Sequence, residues 1–309
     1  MSLDFPEIEE SLDTVFCLSE TFKKKKILGS GNFGKVFLMT SASGKNIAAK
    51  TIPNDDRRTA GLVKKEINVM SKLSHPHIVQ FLGQSLTQRS STILMEFVGA
   101  DITIVVDVMD AEEKRIIFAQ LVSAVEYMHD QGFAHCDLKP DNVLVKSTVN
   151  VKICDFGGAT QIKFDSIGRE LPMSGMVGTR NYEAPLKIRR KPSKASKDDI
   201  WSLGLILYWL FAEDLPWRVA IKEEDEHYRR WTEDIAPPGF LCLEGEVVQV
   251  LSCTLHHVEC VRPTAKELGK LPYCRSNMRS LPPGFSEASP SFPMTPPPGF
   301  EHLKPKPAF

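Results

Sequence analysis

The sequence lacks both a long hydrophobic run and an excess of charge of one sign. Its most apolar stretch, residues 200–212, is interrupted by Ser202 and Gly204 and is too short for a hydrocarbon core about 30 Å thick. Lys and Arg number 38 against 39 for Asp and Glu, which leaves a formal net charge of -1. We therefore expect no membrane span and no nucleic-acid partner, because a nucleic-acid surface needs a basic field.

Paired cysteines and the features of a signal peptide are also lacking. Near the start, acidic residues such as Asp4 and Glu7 stand where a signal peptide has basic and apolar ones. The seven cysteines are scattered, and none forms the Cys-x-x-Cys spacing of a zinc or redox site. They are Cys17, Cys136, Cys154, Cys242, Cys253, Cys260 and Cys274. These absences predict a reducing compartment, and we expect a cytoplasmic protein, with an additional nuclear location left open.

The two ends of the chain differ in composition from the rest. Residues 1–22 form an acidic N-terminal extension, and residues 275–309 are dominated by proline and small polar residues. The tail repeats Pro-Pro-Gly-Phe at residues 282–285 and 297–300. Such a composition buries too little apolar surface to fold. We expect either an unstructured tail or a docking peptide for a domain that reads proline motifs.

Between these ends the pattern changes from strand-like to helical. Short apolar or alternating segments predict strands at residues 27–28, 35–40, 46–52, 78–82 and 92–98, and a helix at 59–73. After Gly99 the pattern is mainly helical, and Asp110 with Glu113 resembles a capping box that opens a helix ending near Gly132. This order predicts an α+β fold with a small β-rich lobe, a larger helical lobe and a cleft between them.

A glycine-rich element lies between the first two clear strands. Glycine lets backbone amides approach phosphates closely, and a dinucleotide-binding fold uses similar glycines. Here they are predicted to lie in a hairpin, whereas a dinucleotide fingerprint opens a helix. The element consists of Gly29, Ser30, Gly31, Asn32, Phe33 and Gly34, followed by Val36.

Two charged residues follow the glycines at informative places. Lys50 ends an apolar strand and Glu66 lies on the predicted helix. Alone, each would be an ordinary surface charge. Together they make sense as an ion pair that positions Lys50 on phosphates.

The most specific motif is His135-Cys-Asp137-Leu-Lys139-Pro-Asp-Asn142, with Asp155-Phe-Gly157 beginning thirteen residues after Asn142. With the glycine loop, Lys50 and Glu66 in this order, residues 23–274 resemble a eukaryotic protein kinase of the serine/threonine type. The resemblance implies a bilobal kinase fold, with an N-lobe at 23–98, a C-lobe at 99–274 and an ATP cleft between them. It also implies ATP and Mg²⁺ as cofactors and proteins as substrates.

The resemblance assigns a role to individual residues. Asp137 would orient the substrate hydroxyl and accept its proton, Lys139 would lie by the γ-phosphate, and Asn142 and Asp155 would bind magnesium. Lys139 and Thr179 are typical of serine/threonine kinases. The adenine pocket and hinge would be formed by Leu28, Val36, Ala48, Met95, Leu144 and the segment from Glu96 to Val98.

Three positions depart from the family pattern or carry an unusual side chain. Cys136 replaces the arginine that pairs with a phosphorylated activation loop, so we expect activity independent of such phosphorylation at Ser166 or Ser174. Leu186 replaces a glutamate that pairs with a residue matching Arg262, and Glu183 is an open candidate substitute. Cys154 is expected either to face the ATP pocket or to be a small buried apolar residue.

Two other functions are compatible with this sequence. The chain could be a pseudokinase, which keeps the fold but regulates partners without catalysis, or an adaptor that acts through its proline-rich tail. The presence of Lys50, Glu66, Asp137, Asn142 and Asp155 favours catalysis. The kinase subfamily is left unassigned.

Overall fold

The computed structural model describes residues 14–31, 34–54, 57–87, 89–147, 149–176 and 178–275. The proline-rich tail from residue 276 lies outside these ranges, so its two predicted roles stay predictions. The contacts divide the chain into two compact units. Of the described residues, the first unit contains those from Thr14 to Val63 and Phe81–Phe97, and the second contains Lys64–Gln80 and those from Val98 to Arg275.

The first unit is built on a six-stranded antiparallel sheet with the strand order β1-β2-β3-β4-β6-β5. One face carries a cluster of buried side chains that includes Phe22, Met39, Ile47 and Leu94. Ile47 and Ala49 alternate along their strand, so both point into this cluster. The strands are β1 Thr14–Cys17, β2 Glu20–Gly31, β3 Gly34–Ser41, β4 Asn46–Pro53, β5 Phe81–Leu86 and β6 Ser90–Glu96.

The sheet begins earlier in the chain than the sequence predicts. Strand β1 and the start of β2 lie within the segment assigned to the acidic extension, and Phe22 is fully buried in the core. Four consecutive lysines, residues 23–26, hide this strand because they read as a solvated run. The predicted strand at residues 78–82 was also wrong in its bounds. Strand β5 starts at Phe81, and Ile78 forms only an isolated bridge with Ile153.

One helix, α1 Arg57–Met70, lies between β4 and β5 in sequence. The sequence predicted this helix, but with the bounds 59–73. The division between the units falls within it, after Val63. Glu66 therefore lies in the second unit, and the predicted lobe boundary at residue 98 stays a prediction.

The second unit is mainly helical. Its helix α2 opens with the predicted capping box, in which Glu113 N–H donates to the Asp110 side chain and Asp110 N–H donates to Glu113. Helix α4 is buried along nearly its whole length, so it forms the centre of this core. The helices are α2 Ala111–Asp130, α3 Pro185–Ile188, α4 Ala195–Ala212, α5 Glu226–Trp231, α6 Gly245–Thr254 and α7 Ala265–Leu268.

Two short antiparallel strand pairs complete the second unit. Strand β7 Phe133–Ala134 pairs with β10 Thr160–Gln161, and β8 Val143–Ser147 pairs with β9 Asn150–Ile153. The motif residues 135–142 lie between β7 and β8, and residues 155–157 follow β9. No helix in the described ranges combines the length and apolarity that crossing a bilayer requires.

Candidate functional site

The glycine-rich element of the first unit is a β-hairpin, as its sequence context predicts. Gly29 lies opposite Val36, Ser30 opposite Lys35, and Gly31 opposite Gly34. Gly34 has φ +127°, and a Cβ there would collide with the carbonyl oxygen of Thr51, so only glycine fits. Asn32 and Phe33 lie outside the described residues.

Lys50 and the predicted adenine-contacting residues of this unit occupy the neighbouring strands. Lys50 is only 6% exposed and lies between Val36 on β3 and Ile93 on β6. On the same strand, Ala48 lies opposite Met95, and both are buried. Leu28 is half-buried within β2, and Glu96 is half-buried at the end of β6. Lysine is rarely buried in proteins, so the burial of Lys50 agrees better with a specific role for its charge than with an ordinary surface position.

The second unit contains the remaining predicted residues. Glu66 is buried on α1, with 4% of its surface exposed. Leu144 is buried on β8 and forms a bridge with Asp101, while Val98 is half-buried. The ion pair between Lys50 and Glu66 stays a prediction.

The carboxylate of Asp137 is held by Thr179, which lies in the segment from Asp155 to Leu186 that we call the activation segment. The Thr179 N–H donates to Asp137 Oδ1 at 2.7 Å. Lys139 Nζ lies 3.7 Å from Asp137 Oδ2 and donates to Thr179 Oγ1 at 3.0 Å. The three side chains thus form one connected polar cluster, in which a cation lies beside the carboxylate. Such a cluster can bind a hydroxyl and neutralise a phosphoryl group in the same place.

Asn142 and Asp155 provide the oxygen atoms that a magnesium ion prefers. The Asn142 side-chain amide donates to the Asp137 carbonyl at 2.8 Å, so its nitrogen is occupied and Oδ1 is the atom suited to a metal. The backbone links the two residues, because Cys154 N–H donates to the Asn142 carbonyl at 3.0 Å. Asp155 has left-handed backbone angles, and Gly157 N–H approaches its Oδ1 at 3.4 Å. The residues therefore fit a hard divalent cation.

The backbone before Asp137 is fixed by Asp199 of helix α4. Its two carboxylate oxygens accept the N–H groups of His135 and Cys136, each at 2.8 Å. Burial alone would raise the pKa of Asp199, but the hydrogen bond from His129 and nearby positive charge hold it below its usual value. The role of Asp199 depends on tertiary placement, so no local signal revealed it.

The two cysteines near the motifs are both buried. Cys136 has φ +66°, an unfavourable left-handed angle for a residue with a side chain. Burial, followed by the charge of Asp199, raises the pKa of its thiol well above the usual value. Cys154 is 1% exposed, which agrees with the prediction of a small buried residue. Its predicted orientation toward ATP stays a prediction.

Arg262 does not depend on Glu183. Its Nη1 lies 3.9 Å from Asp198 Oδ1, its Nε donates to the His256 carbonyl at 2.9 Å, and its guanidinium stacks over the Trp201 ring at 4.9 Å. Glu183 instead pairs with Arg190 at 2.9 Å. Arg262 therefore has other contacts in place of the usual glutamate, whose position is Leu186. Glu183, the candidate substitute, pairs with Arg190 and not with Arg262.

A family model described as "Protein kinase domain" matches residues 22–274. The curated relative "CBL-interacting serine/threonine-protein kinase 18" of Arabidopsis thaliana is 35% identical over 202 residues, which cover 62% of this chain and 38% of the relative. "Putative sperm motility kinase W" of Mus musculus is 30% identical over 253 residues, or 80% of this chain and 49% of the relative. The chain thus spans less than half the length of these relatives.

Proposed function

Because this chain belongs to the protein kinase domain family, we propose that it transfers the γ-phosphate of ATP to serine or threonine hydroxyls of protein substrates. The observation that carries the proposal is the cluster of Asp137, Lys139 and Thr179, in which a carboxylate and a cation are fixed side by side. Relatives with serine/threonine kinase names support the choice of acceptor.

The proposed reaction uses Asp137 as the proton acceptor. A substrate hydroxyl bound to its carboxylate would form the new bond to the γ-phosphorus while its proton passes to Asp137 and ADP leaves. Lys139, next to both Asp137 and Thr179, would neutralise the transferred group. No covalent enzyme intermediate is needed, since positioning and charge neutralisation supply most of the acceleration.

ATP and magnesium are the proposed cofactors. The backbone amides of the glycine-rich hairpin and the buried Lys50 are suited to the phosphates. Asn142 and Asp155 would hold magnesium, which supplies charge neutralisation when bound. Leu28, Val36, Ala48, Met95, Val98 and Leu144 remain the proposed contacts of the adenine.

The proposal extends to activity without activation-loop phosphorylation. A neutral, buried Cys136 thiol cannot pair with a phosphate group. The activation segment also has contacts that need no phosphate. Glu170 accepts the N–H of Ser196 at 3.0 Å, and the backbones of Met173 and Ser193 exchange hydrogen bonds at 2.8 and 3.0 Å.

Phosphoryl transfer can be tested with radiolabelled ATP and three peptide libraries that differ only in their Ser, Thr or Tyr acceptor. We expect wild-type labelling of the Ser and Thr libraries and loss of this labelling in Asp137→Asn. Labelling that persists in Asp137→Asn would indicate a contaminating kinase, and labelling of the Tyr library alone would overturn the acceptor assignment. A wild type that binds ATP without labelling any library would point to the pseudokinase alternative.

The same assay tests phosphorylation-independent activity. Both Ser166 and Ser174 are exposed, so changing them to alanine should not disturb packing. We expect Ser166→Ala/Ser174→Ala to keep its rate within about threefold of wild type, because no basic side chain at position 136 awaits a phosphate. A tenfold or larger loss, expressed as roughly 1.4 kcal/mol in activation free energy, would contradict this part of the proposal.

A further inference from the structure

Lys187 of helix α3 is a buried cation in an otherwise exposed basic run. The run Lys187-Ile-Arg-Arg-Lys191 contains four cations, and of these Lys187 is 5% exposed whereas Arg189, Arg190 and Lys191 are exposed. Lysine is almost never fully buried without a partner because transferring its charge out of water is unfavourable. Its environment must therefore offer specific compensation.

The compensation comes from the residue before Asp137. Lys187 Nζ donates a hydrogen bond to the carbonyl oxygen of Cys136. The ammonium group also contacts Gly178: a Cβ added at Gly178 would lie 2.7 Å from Lys187 Nζ and 2.7 Å from the Cys136 carbonyl oxygen. Lysine, carbonyl and glycine backbone therefore meet at one point with no room for a further side chain.

This meeting point joins the two segments that hold Asp137. Cys136 precedes Asp137 directly, and Gly178 precedes Thr179, whose N–H donates to Asp137 Oδ1 at 2.7 Å. The Cys136 peptide is strained, with φ +66°, and such angles persist only where the surroundings fix them. Asp199 holds the Cys136 N–H at 2.8 Å, and Lys187 holds its carbonyl. The strained residue is thus fixed by a charged group on each side.

We propose that Lys187 is a positioning residue that fixes Asp137 through the Cys136 carbonyl and supplies, from helix α3, the cation that position 136 lacks. This inference rests on the proposed kinase function. In the family pattern an arginine at position 136 carries a positive charge. In this chain position 136 is the neutral Cys136, and the nearby positive charge comes from Lys187 on helix α3. Burial raises the pKa of the neighbouring Asp198 carboxyl to about 7, and the charge of Lys187 partly opposes this rise.

The first test compares Lys187→Met with the exposed control Lys191→Met. Methionine keeps an unbranched, flexible side chain that lacks only the terminal ammonium, so it removes the charge, and losing a buried charge need not lower stability. We expect Lys187→Met to lower kcat by about tenfold to a hundredfold, with a KM for ATP close to wild type and an unchanged Tm. Lys191→Met should match wild type in all three, and Lys187→Arg should recover most of kcat.

A second comparison separates positioning from simple structural support. We expect Cys136→Arg to raise kcat in the Lys187→Met background, because it restores a cation, and to lower kcat in the wild type, because it crowds two buried cations. The proposal would be overturned if the kcat of Lys187→Met fell only in proportion to its Tm. It would also be overturned if Cys136→Arg changed kcat in the same direction in both backgrounds. If Lys187→Met does not fold, an active Cys136→Arg/Lys187→Met supports the proposal, and an inactive or insoluble one contradicts it.

Wild type and Asp137→Asn are assayed in parallel. A wild type without Asp137-dependent activity would remove the proposed function. Normal wild-type activity with Lys187→Met equal to Lys191→Met would remove this inference alone.

Discussion

At the scale of single residues, two motif residues of the second unit have strained backbone angles. Cys136 and Asp155 both have left-handed angles, with φ +66° and +60°, although neither is glycine. Each such residue costs on the order of 1–3 kcal/mol and persists only where neighbours determine it. The hydrogen bonds of Asp199 and Lys187 around Cys136 provide that determination.

The sequence predicted the candidate reacting groups but not the groups that support them. Asp137, Lys139 and Asn142 were found because they occur in one short, specific string. Asp199 and Lys187 lie 62 and 50 positions after Asp137 in the printed numbering, and they act through backbone atoms of residues 135 and 136. A contact of this kind leaves no periodicity or spacing in the sequence, so only the structure shows it.

His75 gives a prediction about pH at the residue scale. Its ring stacks on Tyr127 at 5.2 Å and lies 3.3 Å from Ser123 Oγ. Burial, followed by the charges of His77 and Lys152, lowers its pKa to about 4. The unfolded value is near 6.5, so the folded state favours neutral His75. Its contribution to stability is present above pH 6.5 and is lost as the pH falls toward 4.

His75→Phe keeps an aromatic ring on Tyr127 but removes the titration. We expect the Tm of wild type to fall relative to that of the variant between pH 7 and pH 4.5, as measured by thermal unfolding in matched buffers. A difference in Tm that stays constant or grows in favour of wild type over this range would contradict the assigned direction.

At the scale of elements, helices were predicted better than the outer strands. The capping box of Asp110 and Glu113 marks the start of α2 by a local hydrogen-bond pattern, which sequence can show. Strand β1 and the lysine-rich start of β2 have no such mark, since β1 joins the sheet by pairing with β2, and β2 by pairing with β3. Strand assignment depends on context in just this way.

Two helical glycines allow a matched test of packing against propensity. Gly61 lies in α1 with nothing within 4 Å of an added Cβ, whereas a Cβ at Gly204 of α4 would collide with Thr254 and lie 2.8 Å from Leu255. Where space allows, replacing a helical glycine with alanine raises the free energy of unfolding by about 0.5–1 kcal/mol.

We therefore expect Gly61→Ala to raise the free energy of unfolding and Gly204→Ala to lower it by about 1–3 kcal/mol. Thermal or denaturant unfolding measures both. Equal stabilisation by the two substitutions would show that α4 and α6 are not packed as closely as described.

At the scale of the whole molecule, the last described residues, up to Arg275, pack against the rest of the second unit. Tyr273 is 5% exposed and its ring lies 6.2 Å from that of Phe118. Arg115 of α2 donates to the carbonyls of Tyr273 and Arg275 at 3.3 and 3.0 Å. These contacts fasten the segment after α7 to α2.

Truncation can locate the functional end of the domain. A chain ending at Arg275 keeps these contacts, and we expect the Tm and peptide kinase activity of the full chain. A chain ending at Leu271 loses the buried Tyr273 and should be destabilised by about 2–4 kcal/mol. If the chain ending at Arg275 lost its activity while remaining folded, residues 276–309 would have to contribute to catalysis, in favour of a primary role for the tail.

The central claim is that Asp137 makes this protein a catalyst rather than a nucleotide-binding module. The most direct measurement determines ATP affinity and peptide phosphorylation on the same preparations of wild type, Asp137→Asn and the control Asp141→Asn, which changes an exposed residue of the same loop. We predict that Asp137→Asn binds ATP like wild type but loses about a hundredfold or more in turnover, while Asp141→Asn keeps both. Equal turnover by wild type and Asp137→Asn, or ATP binding by wild type with no turnover, would contradict the claim.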